Sequence, residues 1–138
     1  MSKDFDAWNV HKQQLDGKQV RFSFRERELW WCSLGLNVGF EQDGTGTEFD
    51  RPVLIVRKFN RGMFWGAALT SRDPNPSKPA ARYFVPVHYD DQAADTNSYV
   101  IISQLRVLSA KRLIRREGRL GDDQFTRVVS AIRELLPL

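Results

Sequence analysis

The sequence predicts a mainly β protein: one antiparallel sheet, closed into a small barrel or strongly curled, with a helix before it and a helix after it. Three observations predict this. Apolar runs rich in β-branched and aromatic residues recur at short intervals: E-L-W-W-C-S-L (28–34), R-P-V-L-I-V (51–56), M-F-W-G-A-A-L-T-S (63–71), Y-F-V-P-V (83–87) and S-Y-V-I-I-S-Q-L-R-V-L (98–108). No helical pattern stands between them, which disfavours the βαβ alternation of a parallel sheet. Helical spacing is clear only near the two ends of the chain. Closing the sheet would also remove its exposed edges.

Taken in order, residues 4–15 place Trp8, His11, Lys12 and Leu15 at helical spacings, with Phe5 on the same side. Asp4 is a suitable cap, and D-G (16–17) stops the helix. A helix this short is marginal alone, so it is expected to dock over one end of the barrel or at a subunit interface. V-R-F-S-F (20–24) alternates and reads as a short strand. After the first tryptophan strand comes a long loop, 35–50, with glycines at 39, 44 and 46. Loops of this length are usually functional or mobile. Pro52 sits at a strand entrance, and N-R-G (60–62) is a tight connection.

The third strand ends on Thr70 and Ser71. Three prolines mark 71–82 as an exposed loop. Pro86 makes the fourth strand an edge or a bulge. Residues 88–97 are a polar connection, and 98–108 form a fifth strand or two strands separated near Ser103. Ser109 caps a short turn through 110–114, and Gly118 and Gly121 break the pattern. Asp122 caps the clearest helix, 122–136, whose one face carries Phe125, Val128, Val129, Ile132, Leu135 and Leu136 before Pro137.

The 138 residues suit one domain, with 1–24 as an N-terminal extension and 25–138 as the barrel domain. Lys and Arg number 21 against 17 Asp and Glu, a +4 bias that permits a polyanionic partner without requiring one. Most of the excess lies in 106–119, with six basic residues against the single acid Glu117. The one cysteine, Cys32, excludes an internal disulfide and a cysteine metal cluster. His11 and His88 form no metal-ligand spacing, so no metal or other cofactor is expected. With no signal-like segment and no apolar run of membrane-spanning length, a cytoplasmic protein away from membranes is the expectation.

Arg51 is the first candidate site residue. It opens a strand after a long loop, and a guanidinium can grip a phosphate through two parallel hydrogen bonds. The alternative is an ion pair with Glu41, Glu48 or Asp50. Thr70 and Ser71 can donate to an anionic oxygen or satisfy the backbone at a strand end. Arg106 lies among apolar neighbours and needs a partner or an outward face. Strict alternation puts Gln104 on its face and Ser103 on the other. Glu41 becomes a candidate base if the loop brings it near Arg51. Trp30, Trp31 and Trp65 offer stacking surfaces for RNA bases, although at least one of Trp30 and Trp31 should face the core. Phe40, in a polar glycine-rich loop, is the aromatic expected to be exposed.

Together these segments resemble the MazF/PemK family of toxin endoribonucleases. E-L-W-W-C-S-L-G (28–35) is similar to its first-strand signature and V-G-F-E-Q (38–42) to its G-x-E-Q loop. R-P-V-L-I-V (51–56) and A-A-L-T-S (67–71) resemble its next two strands, and S-Q-L-R-V-L-S-A-K-R-L (103–113) its Q-x-R segment. The resemblance implies an SH3-like barrel with a C-terminal helix, a homodimer, and metal-independent cleavage of single-stranded RNA. It also implies a cognate antitoxin. Its key arginine falls on Arg51, its threonine on Thr70 and its loop acid on Glu41, with RNA contacts at Phe40, Gln42, Ser71, Gln104 and Arg106. The sequence departs from the pattern at Arg27, Phe40 and Ser103, which leaves the general base and the cut-site preference open. A non-catalytic barrel that binds RNA or a protein is the alternative.

Overall fold

Three apolar stretches become the centre of an antiparallel sheet in a computed structural model that describes residues 2–89, 92 and 96–136. The strands are β1 (Glu28–Ser33), β2 (Asp50–Lys58), β3 (Met63–Thr70), β4 (Phe84–Val87), β5 (Ser98–Ile101), β6 (Arg106–Ser109) and β7 (Leu113–Arg119). Helices α1 (Phe5–Asp16) and α2 (Asp122–Glu134) flank them. The strand order is β4-β5-β3-β2-β1-β7, with β6 also paired to β3. Among the described residues no helix is long and apolar enough to cross a membrane.

The expected barrel, SH3-like or otherwise, does not form. The path begins at β4 and ends at β7, and these two are not paired, so the sheet stays open. Its edges are managed without closure. Pro86 gives β4 one donor fewer, and its carbonyl accepts from Arg127 Nη2 of α2 at 2.6 Å. Just beyond β4, the backbone of His88 both donates to and accepts from the Gln124 side chain. The β7 edge bears exposed Arg115, Arg116 and Arg119, charges that discourage pairing with another chain.

The sheet is buried on both faces, which is why Val53, Leu54 and Ile55 run together without alternation. One face gathers Trp30, Cys32, Val53, Ile55, Phe64, Ala68 and Leu108 into a first core, closed by Phe24. The other gathers Leu29, Leu54, Ala67 and Leu69 beneath Val128 of α2. Each fully buried Val, Leu, Ile or Phe among them stabilises the fold by about 1.5–3 kcal/mol. Gly66 sits where the first core is tightest: a Cβ there would lie 2.6 Å from Val53 Cγ1 and 2.9 Å from the Phe64 ring.

Two local expectations change, and the choice between one strand and two over 98–108 falls to two. Segment 20–24 is not a strand, because no strand lies beside it. It is held instead by the buried Phe24 ring, 5.2 Å from that of Phe64, and by Lys58 Nζ donating to the Phe24 carbonyl. The run 98–108 is broken by a 3-10 turn at Ile102–Gln104, so β5 and β6 pair with different halves of β3. Beyond a short turn at Ala110–Arg112, where Ser109 Oγ accepts from Lys111 N, the basic stretch continues as strand β7.

Helix α1 follows its sequence pattern: Asp4 accepts from Ala7 N at 3.0 Å, and Trp8 and Leu15 are buried, while Phe5 is exposed. At α2 the cap position is Gly121, which has no side chain to cap with, and Asp122, expected there, lies in the first turn and pairs with Arg27. On its apolar face Leu135 and Leu136 are exposed. Pro137, read as the terminator, lies outside the described residues.

Candidate RNA-binding site

Strands β2 and β3 bring the two leading candidates together through their register. Val53 is opposite Ala68 and Leu54 opposite Ala67, so continuing by two residues sets Arg51 opposite Thr70. Alternation puts both on the face of the first core, at its open end. A bulge decides this. The pairing shifts between Ile55 and Arg57, with Val56 the extra residue. The register of Arg57↔Trp65, extended without that shift, would set Arg51 opposite Ser71 instead.

Arg51 and Thr70 line one open cleft of about 760 Å³, with Gln42, Ser71, Arg72, Asp73 and Lys78. Arg51 Nε donates to the Asp43 carbonyl at 2.8 Å, and Nη1 reaches the Leu69 carbonyl at 3.5 Å. Among the described residues it forms no ion pair with Glu41, Glu48 or Asp50. Burial pulls its pKa below the usual arginine range, and the nearby Asp43 carboxylate opposes that shift. Nη2 and the outer Nη1 hydrogen have no partner among the described residues. Thr70 Oγ1 accepts from Arg72 N at 3.2 Å, which leaves its own proton to donate.

Glu41 lies elsewhere. With Phe40, Gln42, Gln104 and Arg106 it lines a second cleft of about 650 Å³, floored by Leu34, Gly66, Ala68 and Leu108. Glu41 Oε1 accepts from Val38 N at 2.9 Å. Gln104 ties this cleft to the 35–50 loop: its Oε1 accepts from Gln42 N at 2.6 Å, and its Nε2 donates to the Phe40 carbonyl at 3.2 Å. Phe40 is fully exposed, as expected. Arg106 shares the face of Leu108. The 102–104 turn breaks strict alternation, so Ser103 lines the same cleft as Gln104 and Arg106. Gln42 belongs to both clefts, making them neighbours on one face.

Of the tryptophans, Trp30 is buried, Trp31 is half-buried with Nε1 donating to Glu117 Oε2 at 2.6 Å, and only Trp65 is exposed. Cys32 is buried in the core, where burial pushes its thiol up to about 12. Sequence reasoning missed Arg72, Asp73 and Lys78. Their signal was a proline-rich loop following a strand that ends on hydroxyls, but nothing in the chain alone folds that loop back over Arg51. Among the described residues no three His, Cys, Asp or Glu side chains gather as a metal site would need.

The family model for the PemK-like, MazF-like toxin of type II toxin-antitoxin systems matches residues 25–136. The chain belongs to this PemK/MazF-like toxin family. No curated protein sequence matches it closely enough to add to that. Among solved structures, MazF from Deinococcus radiodurans shares the fold at a TM-score of 0.61 and 17% identity, covering 86% of this chain and 100% of that one. An endoribonuclease from a mycobacterial species, solved with its cognate antitoxin, aligns at 0.58 and 17% identity over 84% of this chain and 97% of that one. Mycobacterium tuberculosis toxin MazF-mt6 aligns at 0.54 and 19% identity, over 78% and 94%. At these identities the likeness is one of fold. The PemK/MazF-like match starts at residue 25, so α1 lies outside it.

Proposed function

We propose that this PemK/MazF-like chain is a metal-independent, sequence-selective endoribonuclease that cleaves single-stranded RNA, acting in the cytoplasm as the toxin of a toxin–antitoxin pair. The observation that carries the reading is the shared cleft of Arg51 and Thr70, open to solvent and wide enough for a phosphodiester. The 2′-hydroxyl beside the scissile phosphate loses its proton to a base and attacks phosphorus. The O2′–P bond forms, the P–O5′ bond breaks, and the 5′-oxygen takes up a proton. The products are a 2′,3′-cyclic phosphate and a 5′-hydroxyl. Arg51 stabilises charge on the phosphoryl oxygens. Thr70 and Ser71 donate to the phosphate, while Arg72 and Lys78 hold the flanking backbone.

For the base, Asp73 is the only carboxylate lining this cleft among the described residues. It already accepts from Tyr99 Oη and presents its other oxygen. In this reading Glu41 joins Phe40, Gln42, Gln104 and Arg106 in holding the neighbouring bases. The reading includes a homodimer and a cognate antitoxin, the partner with which the mycobacterial endoribonuclease was solved.

The test incubates the purified protein with long single-stranded RNA in EDTA. Discrete cuts bearing 2′,3′-cyclic phosphate are expected, with Arg51→Ala lowering the rate about 10²–10³-fold, the usual effect of losing one charge-stabilising donor. RNA left intact by the wild type would overturn the reading. Asp73→Asn and Glu41→Gln assayed in parallel distinguish the two acids: the first is expected to lose cleavage, the second to change which sites are cut.

A further inference from the structure

Residues 2–24 precede the family match, yet they contact the 35–50 loop along its length. At the loop's middle, Lys3 Nζ donates to the Asn37 carbonyl at 2.6 Å and the Gly39 carbonyl at 3.3 Å, and pairs with Asp43 Oδ2 at 2.9 Å. The other carboxylate oxygen, Asp43 Oδ1, accepts from Asn37 N at 2.6 Å. Asn37 Nδ2 closes the ring by donating to the Gln42 carbonyl at 2.9 Å. At the loop's two ends, Trp8 is the contact. Gly35, at φ +82°, presses so close that a Cβ would fall 2.1 Å from the indole, and the Phe49 ring lies 5.4 Å away, edge-on. The far end of α1 is pinned by Lys111 Nζ, which donates to the Asp16 carbonyl at 2.7 Å.

The loop held this way supplies the seat of Arg51: Asp43, whose carboxylate binds Lys3, offers its carbonyl to Arg51 Nε. We propose that residues 2–24 are a built-in clamp for this loop, and that Lys3 is a positioning residue, fixing through Asp43 the direction in which Arg51 points. The functional half of this proposal rests on the nuclease reading above. The chemistry is specific to a cation at residue 3. Three acceptors converge on it, two of them backbone carbonyls that no other described side chain satisfies. The Lys3 and Asp43 side chains keep 27% and 26% of their surface in solvent, and an ion pair at the surface adds little to global stability, so its effect is on the geometry of one loop. Misplacing a reacting group by about 1 Å lowers a rate roughly a hundredfold.

The experiment compares the full-length wild type, Lys3→Ala and Lys3→Arg. Amide exchange across 37–44 and the 15N resonance of the Arg51 Nε–H are read without RNA, and kcat and KM are read with it. In Lys3→Ala, exchange at Gln42 and Asp43 is expected to quicken about tenfold or more and the Arg51 Nε–H signal to shift. The thermal midpoint should hold, and kcat should fall roughly ten- to a hundredfold at nearly constant KM. Lys3→Arg is expected to restore both sets of readings. Unchanged exchange and an unmoved Arg51 resonance would overturn the clamp, whether or not the protein cuts RNA. A faster loop with an unchanged kcat would overturn the positioning role. A wild type that binds RNA without cutting it removes the nuclease reading, while the two RNA-free readings still decide the clamp.

Discussion

Arg51 divides its donors between holding itself in place and facing the cleft. Nε and one Nη1 hydrogen are directed at carbonyls of the protein, and the remaining N–H groups have no partner among the described residues. A lysine would keep the charge and lose this fork. Arg51→Lys is therefore expected to recover little of the activity lost in Arg51→Ala, measured on the same RNA. Cys32 shows the opposite use of burial. Its proton is held more tightly in the folded chain, pushed up to about 12 from the ordinary thiol value, with desolvation outweighing the pull of Arg112 and Arg106. Because the folded pKa is the higher one, this contribution to stability is full below about pH 9 and drains away as pH rises toward 12. Denaturation curves between pH 8 and 11 should fall more steeply for the wild type than for Cys32→Ala, by at most about 1.4 kcal/mol per pH unit. Parallel curves would refute the burial argument.

At the scale of elements, the β2–β3 pair is the part on which the site depends. Its bulge at Val56 turns a hairpin that would oppose Arg51 to Ser71 into one that opposes it to Thr70. Gly66, close to the bulge, lets Val53, Phe64 and Leu108 meet over a bare Cα. Gly66→Ala is expected to destabilise the fold by about 1–3 kcal/mol, as overpacking does, seen as a lower denaturation midpoint at an unchanged slope. The apolar runs of β1, β2 and β3 were legible in the sequence because fully buried strands are apolar almost throughout. Strand β7 was not: L-I-R-R-E-G-R is charged and ends near glycine, as befits an edge, and edges carry little pattern of their own. The alternation of 20–24 misled for the complementary reason, since a strand exists only where another lies beside it.

For the molecule as a whole, α2 covers only part of the second face. Alternation along β3 puts Met63 and Trp65 on the same face as Ala67 and Leu69, but beyond the helix they stay exposed, with Val107 opposite Trp65 and Phe59 edge-on to it at 5.0 Å. An exposed apolar strip suits the twofold contact of two copies. Light scattering at micromolar concentration is expected to give a dimer for the wild type and a monomer for Trp65→Lys. A monomeric wild type would remove the homodimer from the reading.

The sequence by itself determined the β character, the flanking helices, the exposure of Phe40 and the order of motifs that marks the family. These follow from composition and spacing, which act locally. Only the tertiary structure decided that the sheet stays open, that Glu41 and Arg51 face different clefts, and that Asp73 reaches the one Glu41 does not. Those outcomes turn on which strands pair, on one extra residue at Val56, and on where an N-terminal lysine anchors a loop dozens of residues away. Each is a contact between distant parts of the chain, and a linear pattern carries no record of it.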